Sequence, residues 1–200
     1  MPKPWVARGT KSPWGCMVLL LIAGFGLCLR PVNAATTKSE YQVKAAFLHN
    51  FARFVEWPKH KLPAEDTPIV IGVLGDDPFG PSLDAITQKL IDHHRVDIRR
   101  FKGLTSDQDQ YSQAEEIRSC HMLFVASDQR PYVERIVVML RNDAVLTIGE
   151  QADFIDRGGM VNFVVIDGKT CFEINLKSSK EANITIRSRL SRLAVRVIKE

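Results

Sequence analysis

Two adjacent aspartates directly follow a run of β-branched residues. The run from Ile69 to Leu74 (IVIGVL) is typical of a strand buried on both faces, and the loop GDDPFG comes next. Side chains after a buried parallel strand lie where ligands often bind, so Asp76 and Asp77 are candidates for contacting a metal ion or a hydroxyl group. The alternative is a tight turn in which an aspartate caps the next helix and Phe79 packs inward. Turn chemistry favours this second interpretation, and the first stays open.

The spacing patterns of common catalytic and cofactor sites are missing from the sequence. It contains no GxGxxG or GxxxxGK[ST] loop, no HxxxH or HExxH, no CxxC and no GxSxG. His93 and His94 are adjacent, so they point apart on regular structure. Ser127 precedes Asp128 and suits a helix N-cap better than a nucleophile. We therefore expect a protein that is not an enzyme and that binds no metal and no cofactor.

Basic residues cluster near the C-terminus. Apolar residues at helical spacing predict a final helix that begins near Thr185 or Arg187. Arg189, Arg192 and Arg196 then fall at i, i+3 and i+7, on one face. Such a face either contacts acidic lipid headgroups or an acidic partner, or is a solvated surface whose cations complement the helix dipole.

One polar residue interrupts an apolar run in the last third of the chain. Asn162 lies within the predicted strand 160–166, which follows Gly158 and Gly159. Paired glycines indicate a bend or a close backbone approach. Asn162 is therefore either a structural hydrogen-bonding residue or a ligand contact, and the structural role is favoured.

The first 34 residues have the organisation of a cleavable signal peptide. A basic segment precedes an apolar run of fourteen residues (16–29), and small residues precede a cleavage position after Ala34. The run is shorter than the about 20 residues that a membrane-spanning helix needs. We expect export to the periplasm with cleavage, and the alternative is a retained membrane anchor.

Loss of the leader would make the chain neutral. Four of the 27 Lys and Arg residues and none of the 23 Asp and Glu residues lie in residues 1–34, so 23 of each sign remain. A balanced charge gives no support for nucleic-acid binding. Only Cys120 and Cys171 remain as cysteines, and they either pair in a disulfide or are two small buried hydrophobic residues.

The order of predicted elements indicates the α/β fold class. A first helix begins at Ser39 and ends before Pro58, and buried strands then alternate with helices as far as Ile148. Asp167-Gly168 between two apolar runs predicts an antiparallel hairpin. For residues 36–200 we predict a single compact Rossmann-like domain: a mixed sheet flanked by helices, with a C-terminal hairpin and a closing helix.

Several stretches together resemble the YfiR-like family of exported bacterial domains. They are VKAAFLHNFARFVEWP (43–58), CHMLFVA (120–126), GGMVNFV (158–164) followed by FEINL (172–176), and ITIRSRLSRLA (184–194). The resemblance implies a Rossmann-like periplasmic domain, often dimeric, without enzymatic activity. Its best-known member represses an inner-membrane diguanylate cyclase, and its release raises cyclic-di-GMP and promotes biofilm formation. That repressor carries more cysteines and uses disulfides as a redox-sensitive element, whereas this chain keeps only Cys120 and Cys171.

We therefore expect a periplasmic regulatory protein that binds, and represses, an inner-membrane signalling protein of the diguanylate cyclase type. The alternative is a small-ligand sensor that uses the GDDPFG loop and the edge of the first helix. Trp57 at the end of that helix is either a lid on the core, which we favour, or an interface anchor. The candidate partner or ligand surface comprises Trp57, Asp76, Asp77, Phe79, Asn162, Arg189, Arg192 and Arg196.

Overall fold

The structure is a computed structural model that describes residues 33–64, 66–105 and 109–200. The predicted leader, residues 1–34, lies outside this range except for its last two residues. The strands of the described residues are β1 (Val55–Glu56), β2 (Ile69–Leu74), β3 (Val96–Phe101), β4 (Met122–Val125), β5 (Leu146–Gly149), β6 (Val161–Ile166), β7 (Lys169–Asn175), β8 (Thr185–Ile186) and β9 (Arg196–Ile198). The helices are α1 (Asn33–Arg53), α2 (Pro81–Asp84), α3 (Asp109–Ser119), α4 (Val133–Leu140), α5 (Leu176–Glu181) and α6 (Ser188–Ser191). Two 3₁₀ segments complete them, Ala85–Gln88 and Ser127–Tyr132.

Seven of these strands form one mixed sheet in the order β3-β2-β4-β5-β6-β7-β9. β2 to β6 are parallel, β7 returns antiparallel to β6, and β9 is parallel to β7. β1 and β8 pair separately as a short antiparallel ribbon. The predicted fold class, an α/β domain with a mixed sheet flanked by helices and a C-terminal hairpin, is confirmed.

The sheet is covered by apolar side chains on both faces. All six residues of β2 are buried. Because side chains alternate along a strand, Ile71 and Val73 lie in the cluster shared with α1 and α2, whereas Val70 and Leu74 lie in the cluster shared with α3 and α4. This two-sided burial explains why the strand is a continuous apolar run.

Helix α1 packs its aromatic residues onto the two strands of the hairpin. Phe51 stacks on Phe163 of β6 at a centroid distance of 5.6 Å and meets Phe172 of β7 edge-on at 5.0 Å. The helix begins at Asn33, six residues before the predicted start at Ser39. Val43 is 43% exposed, so it lies outside the face of α1 that packs on the sheet.

The hairpin forms at the predicted Asp167-Gly168 turn. Both residues have positive φ (49° and 72°), the backbone geometry of a two-residue turn that matches the twist of the strands. The hairpin extends beyond its neighbour in the sheet, since β5 pairs with β6 only at Ile148–Val161 and Gly149–Asn162.

The predicted closing helix is wrong beyond one turn. α6 contains four residues, and β9 then adds to the edge of β7 in parallel register, with Ile174 opposite Val197. The prediction rested on apolar residues at helical spacing. Val197 and Ile198 fit that spacing, but they are partly buried here because they belong to a strand that pairs with β7.

Candidate functional site

A cleft of about 400 Å³ opens where β4 and β5 end. Helix α1 forms one wall, the ends of β4 and β5 form the floor, and β6 forms the opposite wall. We call it the β5 cleft; it is lined by Glu40, Tyr41, Lys44, Ser127, Glu150, Gln151, Ala152 and residues 162–165. Side chains beyond the carboxyl ends of parallel strands are favoured positions for binding sites.

Lys44 and Glu150 form a buried ion pair in the β5 cleft. Lys44 is 4% exposed, and its Nζ lies 2.7 Å from Glu150 Oε2. The hydroxyl groups of Tyr41 and Ser127 each donate a hydrogen bond of 3.0 Å to Glu150 Oε1. Burial and the neighbouring charge of Glu150 raise the pKa of Tyr41 above its usual value, so the phenol remains a donor. Every oxygen of this carboxylate therefore has a partner, and the cluster depends on all of its members.

Two buried oxygens beside the cleft have no hydrogen-bond partner among the described residues. They are Gln151 Oε1 and Asn162 Oδ1. The Gln151 amide nitrogen donates to the carbonyls of Val125 (3.0 Å) and Ala126 (2.8 Å), and that of Asn162 donates to Glu173 Oε2 (3.4 Å). Reversing either amide would set oxygen against oxygen, so these contacts fix the orientation of both groups. Both oxygens are enclosed by the protein: Gln151 Oε1 lies beside Gly149, and the Asn162 side chain lies with Glu173 on the sheet face opposite α1.

Asn162 is also one end of a polar chain across three strands. Its partner Glu173 on β7 lies 3.7 Å from Arg196 Nη1 on β9, and Arg196 donates to Asp156 Oδ2 at 2.9 Å. The hydrogen bond from Arg196 lowers the pKa of Asp156. Two of the predicted surface residues, Asn162 and Arg196, are thus connected through Glu173.

The structure places the GDDPFG loop in the turn arrangement, but the predicted aspartate cap is absent, since the N-cap of α2 is Gly80 without a side-chain hydrogen bond. Asp77 Oδ1 accepts a hydrogen bond from the Phe79 N–H (2.8 Å), and Asp77 Oδ2 accepts one from Arg100 Nε (2.7 Å). Phe79 is 3% exposed and lies in the core. The Asp76 N–H donates to Asp128 Oδ1 at 3.1 Å. The loop therefore uses much of its hydrogen-bonding capacity within the protein.

Gln129 fills the crevice where the strand order reverses between β2 and β4. In doubly wound sheets this crevice is the usual ligand site. The Gln129 side chain accepts a hydrogen bond from the Leu104 N–H (2.7 Å) and donates to Asp128 Oδ2 (2.6 Å). Gly75, with φ of +98°, and Gly103 approach so closely that a Cβ at either position would collide with Asp128 or Gln129. The protein's own side chains close this crevice.

Trp57 closes over a buried histidine. Its Nε1 donates to the His121 carbonyl at 3.1 Å, and the two rings meet edge-on at 5.7 Å. His121 Nδ1 accepts from the Val70 N–H (3.1 Å), which leaves Nε2 to donate to the Lys61 carbonyl (3.0 Å). Burial lowers the pKa of His121 from 6.5 to about 4, so the ring is neutral at physiological pH. This geometry supports the lid interpretation of Trp57.

The three predicted arginines do not share a helix face. Arg189 lies on α6 with its guanidinium 5.9 Å from the Phe54 ring, and Arg192 caps that helix. Arg196 lies on β9. The prediction failed because the helix ends before Arg196.

The two cysteines are free thiols in the structure. Cys120 lies just before β4 and Cys171 lies on β7. Three inter-strand spacings of about 4.8 Å separate these strands, so the cysteines are too far apart for a disulfide, the first of the two alternatives. Burial raises the pKa of Cys120 to about 11, which makes its thiol unreactive.

The buried polar group of Tyr41, Lys44, Ser127 and Glu150 was missed by the sequence reasoning. Lys44 and Glu150 are 106 residues apart in the sequence, so no local pattern brings them together. The available signal was the position of Glu150 directly after a buried strand, the same argument that selected Asp76 and Asp77.

Within residues 33–64, 66–105 and 109–200, no three or more His, Cys, Asp or Glu side chains are placed to hold a metal ion. Over the same part of the chain, no helix is long and apolar enough to span a bilayer.

A family profile described as YfiR/HmsC-like matches residues 41–195. No curated protein matches the chain. Among solved structures, the crystal structure of a conserved domain protein from Vibrio cholerae O1 biovar El Tor str. N16961 is similar, with a TM-score of 0.52 and 12% identity. The match covers 78% of this chain and 60% of that chain, so this chain spans less than two thirds of its neighbour. At this identity, the likeness shows the fold alone.

Proposed function

The chain belongs to the YfiR/HmsC-like family, and from this premise we propose that it is a periplasmic regulator that binds and represses an inner-membrane signalling protein of the diguanylate cyclase type. The family is one of periplasmic regulatory domains rather than enzymes. The observation that carries the proposal is the extent of the family match, which covers the whole seven-stranded sheet except β9.

Two features of the structure support a binding role. The crevice that holds cofactors in doubly wound folds is closed by Gln129, and the GDDPFG loop is held by Arg100 and Asp128. The β5 cleft, by contrast, is open and is lined by the charged side chains of Glu40, Lys44 and Glu150. Exposed residues of the predicted surface, Asp76 among them, are further proposed contacts with the membrane partner.

Repression follows from differential affinity. If the inactive state of the cyclase binds this domain better than the active state, binding shifts the equilibrium toward inactivity. A hundredfold difference in affinity, about 2.7 kcal/mol, can lower the ratio of active to inactive cyclase by up to that factor. Release of the domain would restore cyclic-di-GMP synthesis.

Membrane isolation tests the proposal. Cells that make the full chain with a C-terminal tag are treated with a crosslinker, and adducts in the inner membrane are identified by mass spectrometry. We expect an adduct with a membrane-anchored cyclase. Recovery of no inner-membrane signalling protein would contradict the proposal. Sedimentation of the purified domain tests the homodimer that the family resemblance implies.

The alternative, a small-ligand sensor that uses the GDDPFG loop and the edge of the first helix, has less support. Asp77 is engaged by Arg100, and Phe79 is buried. A metabolite that raised the melting temperature, and lost this effect in Asp77→Asn, would favour it.

A further inference from the structure

Strand β6 is longer than its parallel neighbour β5. The last pair between them is Gly149–Asn162, whereas β6 continues four residues further, to Ile166. In this stretch its strand partner is β7 alone among the described strands. One edge of β6 is therefore left without a neighbouring strand.

The hydrogen-bond pattern of the hairpin shows which groups face this edge. The Asn175 N–H donates to the Met160 carbonyl at 2.8 Å, so this pair is hydrogen-bonded across the hairpin. Because such pairs alternate in an antiparallel ladder, Val164 also bonds to β7 and Val165 does not. The backbone N–H and C=O of Val165 therefore point away from β7, toward the open edge.

A contact on the opposite edge agrees with this assignment. The Val195 N–H donates to the Phe172 carbonyl at 2.9 Å, from outside the hairpin. Phe172 lies opposite Phe163, two residues from the Val165–Thr170 pair, so both pairs have the same orientation. Val165 and Thr170 thus point their backbone groups to opposite edges of the same hairpin.

The open edge lies directly above the β5 cleft. Residues 162–165 are one wall of the cleft, and α1 is the other. The side chains of Val165 and Ile166 at this edge are 59% and 44% exposed. An extended chain laid beside β6 would pair with its backbone and place alternate side chains into the cleft.

The charges in the β5 cleft favour a cation. Two carboxylates, Glu40 and Glu150, line the cleft with one ammonium group, Lys44, and the Glu40 side chain is 36% exposed. A segment that brings a lysine or arginine would supply both positive charge and donors.

We propose that the free edge of β6 binds an extended peptide segment of the membrane partner, added to the sheet as a further strand and carrying a lysine or arginine that enters the β5 cleft. The proposal rests on the proposed function, since the segment belongs to the protein that this domain regulates. A second copy of the chain fits less well, because β6 itself (VNFVVI) contains no basic residue to offer to Glu40, the more exposed carboxylate of the cleft.

A phage-displayed library of random twelve-residue peptides, selected on the full chain without its leader, tests the site. We expect enriched peptides that alternate β-branched residues around a lysine or arginine. Val165→Pro removes the outward N–H and blocks strand addition, and we expect it to weaken binding at least tenfold. Thr170→Pro is the matched control, because it removes an N–H at the same level on the opposite edge; it should leave affinity within twofold.

Hydrogen exchange on the unmodified protein makes the test independent of the variants' stability. A selected peptide should slow exchange at the Val165 amide at least tenfold and leave Thr170 unchanged. The proposal is overturned if no peptide is enriched, if Val165→Pro binds peptides as well as the wild type, or if Val165 exchange does not change. Dimers that Val165→Pro converts to monomers would also overturn it, in favour of a second copy.

The outcome is separable from that of the proposed function. If peptides bind at Val165 but no cyclase is recovered from membranes, the proposed function fails and the peptide site remains. If Val165→Pro still crosslinks to the cyclase at the wild-type level, the site fails and the proposed function remains.

Discussion

Lys44 carries its charge into the interior of the protein, where Glu150 is its main partner. Both side chains are below 10% exposed, and the ammonium group lies 2.7 Å from the carboxylate. Breaking such a pair leaves an uncompensated charge, which costs about 3–5 kcal/mol. We predict a loss of this size in the free energy of unfolding for Lys44→Met, measured by urea denaturation.

Glu40 provides the matched control for that variant. It also pairs with Lys44, at 2.5 Å, but its side chain is 36% exposed. Glu40→Gln should therefore cost less than about 1 kcal/mol. Equal losses for Lys44→Met and Glu40→Gln would show that burial does not set the energy of the pair.

His121 makes stability depend on pH. Burial lowers its pKa from 6.5 to about 4 in the folded protein, so between these values the unfolded chain binds the proton and the folded chain does not. Stability is therefore complete above pH 6.5 and falls as the pH falls toward 4, by roughly 3 kcal/mol from this group. NMR titration of the His121 ring measures the pKa directly, and a midpoint above 6 would contradict the account. The exposed His60 is the control, since His60→Gln should keep the decrease.

The roles of single residues were harder to predict from the sequence than the elements or the fold class. The turn role of Asp77 and Phe79 follows from local chemistry, and the structure has this geometry. The role of Gln129 does not, because it depends on Leu104, which lies 25 residues away in sequence. Burial of Lys44 has the same origin, since no local pattern reveals a distant carboxylate.

At the level of elements, the segment from Trp57 to Leu62 fastens the end of α1 to the start of β4. The Trp57 indole and the Lys61 carbonyl both bond to His121, and the Lys61 ammonium donates to the Arg118 carbonyl. We predict that Trp57→Ala lowers the free energy of unfolding by about 3 kcal/mol. Trp57→Phe keeps an aromatic ring but not the hydrogen bond, and should cost about 1 kcal/mol. Unchanged stability with lost partner binding would instead make Trp57 an interface anchor.

Gly103 and Gln129 provide a second test at this level. Gly103→Ala should destabilise the protein by about 2 kcal/mol, because the new methyl group collides with the Gln129 amide. Adding Gln129→Ala removes the collision. The double variant should therefore lose less stability than the sum of the two single variants, as a double-mutant cycle by urea denaturation would show. Additive losses would mean that the two residues do not pack as described.

Elements with local signals were predicted well, and those that depend on distant pairing were not. Asp167-Gly168 determines the hairpin within a few residues. β9 exists because it pairs with β7, and Val197 and Ile198 satisfy a helical pattern equally well. Local periodicity cannot decide between a helix and a strand for this segment when the partner strand is more than twenty residues away in the sequence.

For the whole molecule, the α/β class follows from the alternation of buried strands with helices, and the sheet has that organisation. The place of the proposed binding site did not follow from the sequence. Gln129 closes the expected crevice, and the unequal lengths of β5 and β6 open a different edge. Strand length relative to a neighbour depends on register, which the sequence of one strand does not contain.

The cyclic-di-GMP content of cells tests the central claim most directly. Cells that lack this chain are compared by mass spectrometry with cells that carry the wild type, Val165→Pro or Thr170→Pro. We predict that loss of the chain raises cyclic-di-GMP at least threefold, that the wild type and Thr170→Pro restore the low level, and that Val165→Pro does not. An unchanged level in cells without the chain would contradict the account of a repressor.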